Sequence, residues 1–180
     1  MVTPGDILSF WFEEIEQKKW FKGGPEFDAL IQDRFGDVFE AAAAGELDPW
    51  ADTPEGCAAL IIVLDQFSRN LYRDDARAFA TDAKALALTK VAIEKGWLDL
   101  IPADHAKFLL TPLMHSEDLA DQERGIPLFA KYGGPDKERY AIAHRDIIAR
   151  FGRFPHRNKL LGRQSMPEEE EFLTQPGSSF

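Results

Sequence analysis

The segment His115-Ser116-Glu117-Asp118 sets an imidazole three residues from a carboxylate. On a helix, residues three and four apart share a face, which would bring His115 beside Asp118 and Asp118 beside Gln122. A histidine next to a carboxylate is the raw material for a general base or a metal centre. A structural role competes for the same residues. Ser116 is a suitable helix cap, and Glu117 and Asp118 would favour the positive end of the helix it starts. Capping leaves His115 without an explanation. A mononuclear metal centre would need His115, Asp118 and a distant ligand such as His144 or His156. No two histidines stand four apart and no glutamate precedes a histidine by three. The spacing of a helical metal site is missing, and no metal is expected.

A second group is basic. From Arg150 to Arg163 the chain carries Arg150, Arg153, His156, Arg157, Lys159 and Arg163 with no carboxylate among them. Gly152 permits a left-handed turn, and Phe154-Pro155 stiffens the residues after it. Arg153, His156, Arg157 and Asn158 would then radiate from a short rigid segment. The guanidinium fork matches carboxylate or phosphate, and a short helix after Pro155 would add backbone N–H groups. The expectation is an anion site with Arg153, Arg157 and Asn158 as ligands and His156 as an acid or base. Arg150 and Arg163 are expected to be structural. The rival reading pairs all these arginines with some of the chain's 31 acidic residues.

The third group adjoins the most apolar stretch. Asp65 and Arg69 stand four apart, a favourable helical ion pair. They would form either a buried strut or, with Asn70 beside Arg69, donors to the same ligand. A faint echo links two of the groups, since QFSRN (66–70) and FPHRN (154–158) both join a phenylalanine to an Arg-Asn pair. Of the remaining candidates, His144 falls on the inward face of its helix and reads as a buried, hydrogen-bonded side chain. His105 reads as a surface residue and Cys57 as a structural thiol. No phosphate-cradling glycine loop, dinucleotide fingerprint or G-x-S-x-G turn is present. That counts against ATP-dependent, dehydrogenase and serine-hydrolase chemistry, and no cofactor is expected.

Charge narrows the partners. The formal net charge is −10, which would repel a phosphate backbone, so nucleic acid is not an expected partner. The charge is segregated. Residues 139–163 carry seven Lys or Arg and one acid, a net of +6, which leaves −16 on the rest. The longest apolar run, Cys57 to Leu64, is far short of a membrane span. The opening has no basic region ahead of its apolar stretch, so no secretory signal is read there. One cysteine fits a reducing compartment. These features predict a cytoplasmic protein with no membrane partner.

Helical periodicity runs almost throughout, and with 44% hydrophobic residues the chain can fill a core. Thr3-Pro4-Gly5-Asp6 starts a first helix with Ile7, Leu8, Trp11 and Ile15 on one face. Pro25 starts a second, with an apolar stripe of Phe27, Leu30, Ile31, Phe35, Val38 and Phe39, that stops at Gly45. Thr53-Pro54-Glu55 starts a third that is apolar nearly all round and reads as the central buried helix. Helices are predicted from about Thr81 to Lys95 and from about Ala103 to Pro112, which should end it. Another starts at Ser116 and is kinked or ended at Pro127. A further one runs from Gly134-Pro135 to Gly152 with Tyr140, Ile147, Ile148 and Phe151 inward. A short helix comes after Pro155, and Ser165-Met166-Pro167-Glu168 forms a capping box before a terminal turn. The reading is one all-α domain of antiparallel helices over residues 1–174, with a frayed tail at 175–180.

LDQFSRNLYR (64–73), MHSEDLADQE (114–123) and RFGRFPHRNKLLGR (150–163), in this order, resemble the bacterial uncharacterised family DUF924. ILSFWFEE and DARAFATDAKAL (75–86) fit as well. The resemblance spans nearly the whole chain and implies a tetratricopeptide-like, right-handed helical superhelix. It implies no activity. Ser68 departs from the proline common in the family, and Gly125-Ile126-Pro127 breaks a stretch that is elsewhere continuous helix. The favoured reading is a polar pocket for a small carboxylate or phosphate ligand. Arg69, Asn70, Arg153, Arg157 and Asn158 would bind it, and His115 with Asp118, or His156, would serve acid/base work. The alternative, suggested by the superfamily, is a non-enzymatic module that holds an acidic peptide.

Overall fold

The computed structural model describes residues 1–179, the side chains of residues 21 and 22 aside. Among these residues there is no strand. The helices are α1 (Pro4–Ser9), α2 (Lys19–Lys22), α3 (Pro25–Ala44), α4 (Pro54–Ile61), α5 (Ser68–Leu71), α6 (Asp82–Glu94), α7 (Ala103–His115), α8 (Leu119–Phe151) and α9 (Pro167–Leu173). Local chemistry sets most of their ends. The Thr3 hydroxyl accepts from the Asp6 N–H at 3.3 Å while the Asp6 carboxylate accepts from the Thr3 N–H at 2.7 Å, a reciprocal cap on α1. Thr53 caps α4 through the Gly56 N–H. Gly45 and Gly152, with φ of 90° and 69°, close α3 and α8 in the left-handed region, where glycine carries no Cβ penalty.

The core is built around α4. This helix continues through a π turn (Ile62–Phe67) into α5, and every residue from 56 to 68 is buried. Its Phe67 meets aromatic side chains from the turn after α1 and from α3, with ring centroids 5.6 Å from Trp11 and 5.3 Å from Phe35. Phe10, in a second π turn (Phe10–Glu14) that extends α1, lies 4.8 Å from Phe35. Each such side chain contributes on the order of 1.5–3 kcal/mol by leaving water. A second apolar group joins α4 to α7 and α8 through Ile61, Leu109, Leu113 and Phe129. No described helix is long and apolar enough to cross a membrane.

Several expected boundaries move. Pro112 does not end α7, which runs on to His115 with Pro112 and Leu113 buried; core packing there outweighs the lost N–H bond. Ser116 does not start the next helix. Its hydroxyl accepts from the Asp118 N–H, and Asp118 caps α8 through the Ala120 N–H. The helix passes straight through Gly125-Ile126-Pro127 and breaks instead at Gly134, where φ is 74° and ψ −175°. The last cap is one residue later than expected: the Met166 N–H donates to Glu169, not Ser165 to Glu168. Leu30 and Tyr140 are exposed, and His105 is half-buried, stacked 4.1 Å from Phe12. Near the end expected to fray, Gly177 turns the chain and the Ser178 hydroxyl donates to the Leu173 carbonyl. Phe180 lies outside the described residues.

Candidate functional site

The π turn carries Asp65, which has no exposed surface. Three groups hold its carboxylate. His115, at the C-terminus of α7, donates from Nδ1 at 2.6 Å; Gln66 donates from Nε2 at 2.6 Å; Arg69 lies 3.4 Å away. Burial would raise the Asp65 carboxyl, but His115 and Arg69 outweigh it and hold it down to about 2. Burial, and then the field of Arg69, pushes His115 below its ordinary value against the pull of Asp65. The imidazole is therefore neutral at pH 7. Its Nδ1 proton is committed to Asp65, which leaves the lone pair on Nε2, the arrangement of an oriented general base.

Above the dyad stands a cationic pair. Arg69 grips Asp82 with two hydrogen bonds of 3.0 and 3.1 Å. Arg157, only 7% exposed, lies between the rings of Phe79 and Phe154, its guanidinium carbon 4.8 and 4.6 Å from their centroids. It donates to the His115 carbonyl at 3.0 Å and reaches Asp82 only at 3.7 Å. Its Nε is buried with no hydrogen-bond partner among the described residues. Burial, and then Arg69, lowers its guanidinium to about 10. Among the described residues, no carboxylate comes closer than 3.7 Å to this desolvated cation.

These groups face a cavity of about 860 Å³ lined in part by Arg69, Asn70, His115, His144, His156 and Arg157. Lys18, Arg73, Lys107 and Lys137 add further positive charge to the lining, and among the described residues Asp74 is its one acid. Phe79, Phe108, Met114 and Phe129 give it apolar walls. Burial, and then Arg157, pushes His156 down to about 4, so it too is neutral at pH 7. Among the described residues no group of three or more His, Cys, Asp or Glu is placed to hold a metal ion.

The cavity thus brings together Arg69, Asn70, His115, His156 and Arg157 from the expected set. Asn70 and Arg69 enter it already engaged, Asn70 with Asp28 at 2.8 Å and Arg69 with Asp82. The remaining expectations fail for identifiable reasons. Asp118 does not share a helical face with His115, because the chain turns between α7 and α8; it caps α8, and Asp65 takes its place beside the imidazole. Arg153 does not line the cavity: both Glu169 oxygens and the Gln164 carbonyl take its donors at 2.7–2.8 Å. Asn158 is buried among Ser165, Glu169 and Arg163. Glu117 is no simple cap. It accepts from Arg163 at 2.7 and 3.0 Å and from the Phe154 N–H at 2.8 Å, and so pins the segment that carries His156 and Arg157. His144 is buried and donates from Nδ1 to the Tyr140 carbonyl, and Cys57 is buried with its thiol pushed up to about 11.

Asp65 as the partner of His115, and Phe79 with Asp82 between the two arginines, had no local signal pointing to chemistry. The echo of QFSRN and FPHRN was the one trace, for Arg69 and Arg157 meet at Asp82 and Phe79.

A family model described as bacterial protein of unknown function (DUF924) matches residues 7–177. A solved structure of a protein of unknown function from Agrobacterium tumefaciens is similar at 40% identity, covering 94% of this chain and 96% of that one, with a TM-score of 0.89. No curated protein matches the chain.

Proposed function

The chain belongs to the DUF924 family, and on that premise we propose that its cavity binds a small molecule through a carboxylate or phosphate group, with His115 as a general base acting on the bound molecule. One observation carries the reading. Arg153, Arg163, Arg69 and Arg73 each hold a carboxylate by hydrogen bonds of 3.1 Å or less, whereas Arg157 is more buried than any of them and, among the described residues, has its nearest carboxylate oxygen at 3.7 Å. Removing a cation from water costs several kcal/mol unless an anion meets it. A ligand anion seated against Arg157 would supply that missing partner.

Asp65 fixes the ring and stabilises the imidazolium that forms when Nε2 takes a proton. Arg157 and Arg69 would hold the anion and stabilise negative charge that develops on it. His156, neutral and in the same cavity, is a second hydrogen-bonding group toward the substrate. The alternative, a helical-repeat groove for an acidic peptide, draws on the same cations. A volume of about 860 Å³ with apolar walls fits an enclosed small molecule better.

Thermal-shift measurements test the anion site. Inorganic phosphate or acetate should raise the melting temperature more than chloride at equal ionic strength. Arg157→Ala should lose that selective rise while Arg153→Ala keeps it. Equal responses of wild type and Arg157→Ala would end the reading.

A further inference from the structure

We infer that the ligand is an aryl monocarboxylate, with its carboxylate at the edge of Arg157 beside His115 and its ring along α7 against Phe108, Met114 and Phe129. This deepens the function proposed above and rests on it. The anion end selects by shape and charge. Arg157 lies between the rings of Phe79 and Phe154, so an anion reaches its donors in the plane of the guanidinium fork. A carboxylate is flat and offers two oxygens in that plane. A phosphate ester would turn oxygens toward the rings and bring a charge of about −1.5 to −2 close to Asp82, which already stands 3.7 Å from the Arg157 Nη1. Other cations of the lining hold acids of their own: Arg73 holds Asp28, Lys18 holds Glu16 and Lys107 holds Asp104. A second negative group on the ligand would compete with those acids, so one charge is the better match.

The rest of the cavity sets the body of the ligand. Its volume of about 860 Å³ is that of a site for a whole small molecule, well beyond one carboxylate. Phe108, Thr111, Met114 and His115 line it from α7, at spacings that share one face of the helix. Phe108 precedes His115 by seven residues, two turns or about 10 Å of helix. Over that length the wall is apolar and fixed. Phe108 meets Trp20 and Trp11 edge-on, with ring centroids 4.9 and 5.5 Å away. Phe129 is 1% exposed and packs over Gly125, where a Cβ would stand 3.5 Å from its Cε2. Fixed aromatic walls beside a methionine sulfur suit a flat ring, which packs edge-to-face or offset against them and against the sulfur. A straight chain would bury comparable area but lose more conformational freedom when held.

Isothermal titration of wild type with 3-phenylpropionate, hexanoate, phenyl phosphate and 3-phenylpropan-1-ol, and with acetate by displacement, tests the inference. The aryl carboxylate should bind about tenfold or more tightly than acetate through burial of its ring, and more tightly than each of the others. Thr111→Phe, which fills the space between Phe108 and His115, should bring 3-phenylpropionate down to the level of acetate. If acetate or hexanoate binds wild type as tightly as 3-phenylpropionate, with binding lost in Arg157→Ala, the aryl body is wrong and the Arg157 site stands. Tighter binding of phenyl phosphate, again lost in Arg157→Ala, overturns the carboxylate and likewise leaves that site standing. An aryl preference that survives Thr111→Phe overturns the placement of the ring along α7. If the alcohol binds as tightly as the carboxylate, or if nothing in the series binds wild type, the Arg157 reading falls and this one with it.

Discussion

Acidification from about pH 7.5 to about pH 5 should destabilise the fold through His144, and the size of the loss is set by its surroundings. The ring is 5% exposed, donates from Nδ1 to the Tyr140 carbonyl at 2.7 Å, and stands edge-on to Phe154. Burial lowers its pKa to about 3, with His115, Arg157 and His156 adding repulsion. In the unfolded chain a histidine titrates near 6.5. Because the folded value is the lower one, the unfolded chain binds a proton that the folded chain refuses. Stability is complete above about 6.5 and falls as pH drops toward about 3. At about pH 5 the loss is roughly 1.5 pH units at 1.4 kcal/mol each, about 2 kcal/mol. That is a large part of a typical total of about 5–15 kcal/mol. His156, held at about 4, adds in the same direction. Asp65 and Glu169, both held at about 2, give up their contributions only below about pH 4, outside the window. Urea unfolding at the two pH values, on wild type and His144→Phe, isolates the term. The substitution forfeits the bond to Tyr140 at both pH values, so that cost cancels in the difference. With a slope of roughly 2 kcal/mol per molar urea, the wild-type midpoint should fall about 1 M further than that of His144→Phe. Equal falls would show that His144 accepts its proton in the folded state, and the burial argument would be wrong.

Asp65→Asn should lower the His115 pKa further, read from its imidazole resonances by NMR, because Asp65 pulls that value up; an unchanged titration would mean the pair is not coupled. Asp65→Ala should cost roughly 3–5 kcal/mol in chemical denaturation, the usual loss when one member of a buried ion pair is removed. Glu117→Ala strips the carboxylate from Arg163 and the acceptor from the Phe154 N–H. It should cost about 2–4 kcal/mol and speed amide exchange at residues 153–158 above the rest of the chain. Gly133→Ala would stabilise an ordinary helix by about 1 kcal/mol, but the new Cβ would meet Lys137 Cβ at 2.5 Å. A loss of about 1–3 kcal/mol is expected, and a gain in melting temperature would contradict that close contact.

Helix starts at Thr3-Pro4, Gly24-Pro25 and Thr53-Pro54, and the stops at Gly45 and Gly152, were legible because a cap is decided within four residues. The buried character of Cys57 to Leu64 was legible for the same kind of reason, an apolar surface on every side. Pro112 and Pro127 misled because proline opposes a helix locally, while the packing that carried α7 and α8 through them is tertiary. The site was readable in its donors and unreadable in its pairings. Arg157 and His115 stood out by type, yet His115 found its carboxylate fifty residues away. Arg153 and Arg157 looked equivalent in sequence. Glu169, reached only when α9 folds back, separates them by claiming the first. Lys107 and Lys137 gave no sign, since lysines on helices ordinarily face water.

The π turn at Ile62–Phe67 does more than place Asp65. An α-helix advances about 100° per residue, and a π turn accommodates one extra residue without ending the helix. The rod from Pro54 to Leu71 is therefore two helical segments out of phase by about that angle. The phase of the first is set by the core it fills. The phase of the second aims Arg69 and Asn70 at Asp82 and Asp28 on the cavity side. Hydrophobic substitutions along the rod would alter how well it packs but not where its second half points. Loss of a single residue within 62–67 would do the reverse, swinging Arg69 and Asn70 about a quarter turn while the first segment stayed seated. Chain length across those six residues thus acts as an orientation code, independent of the composition that holds the rod in place.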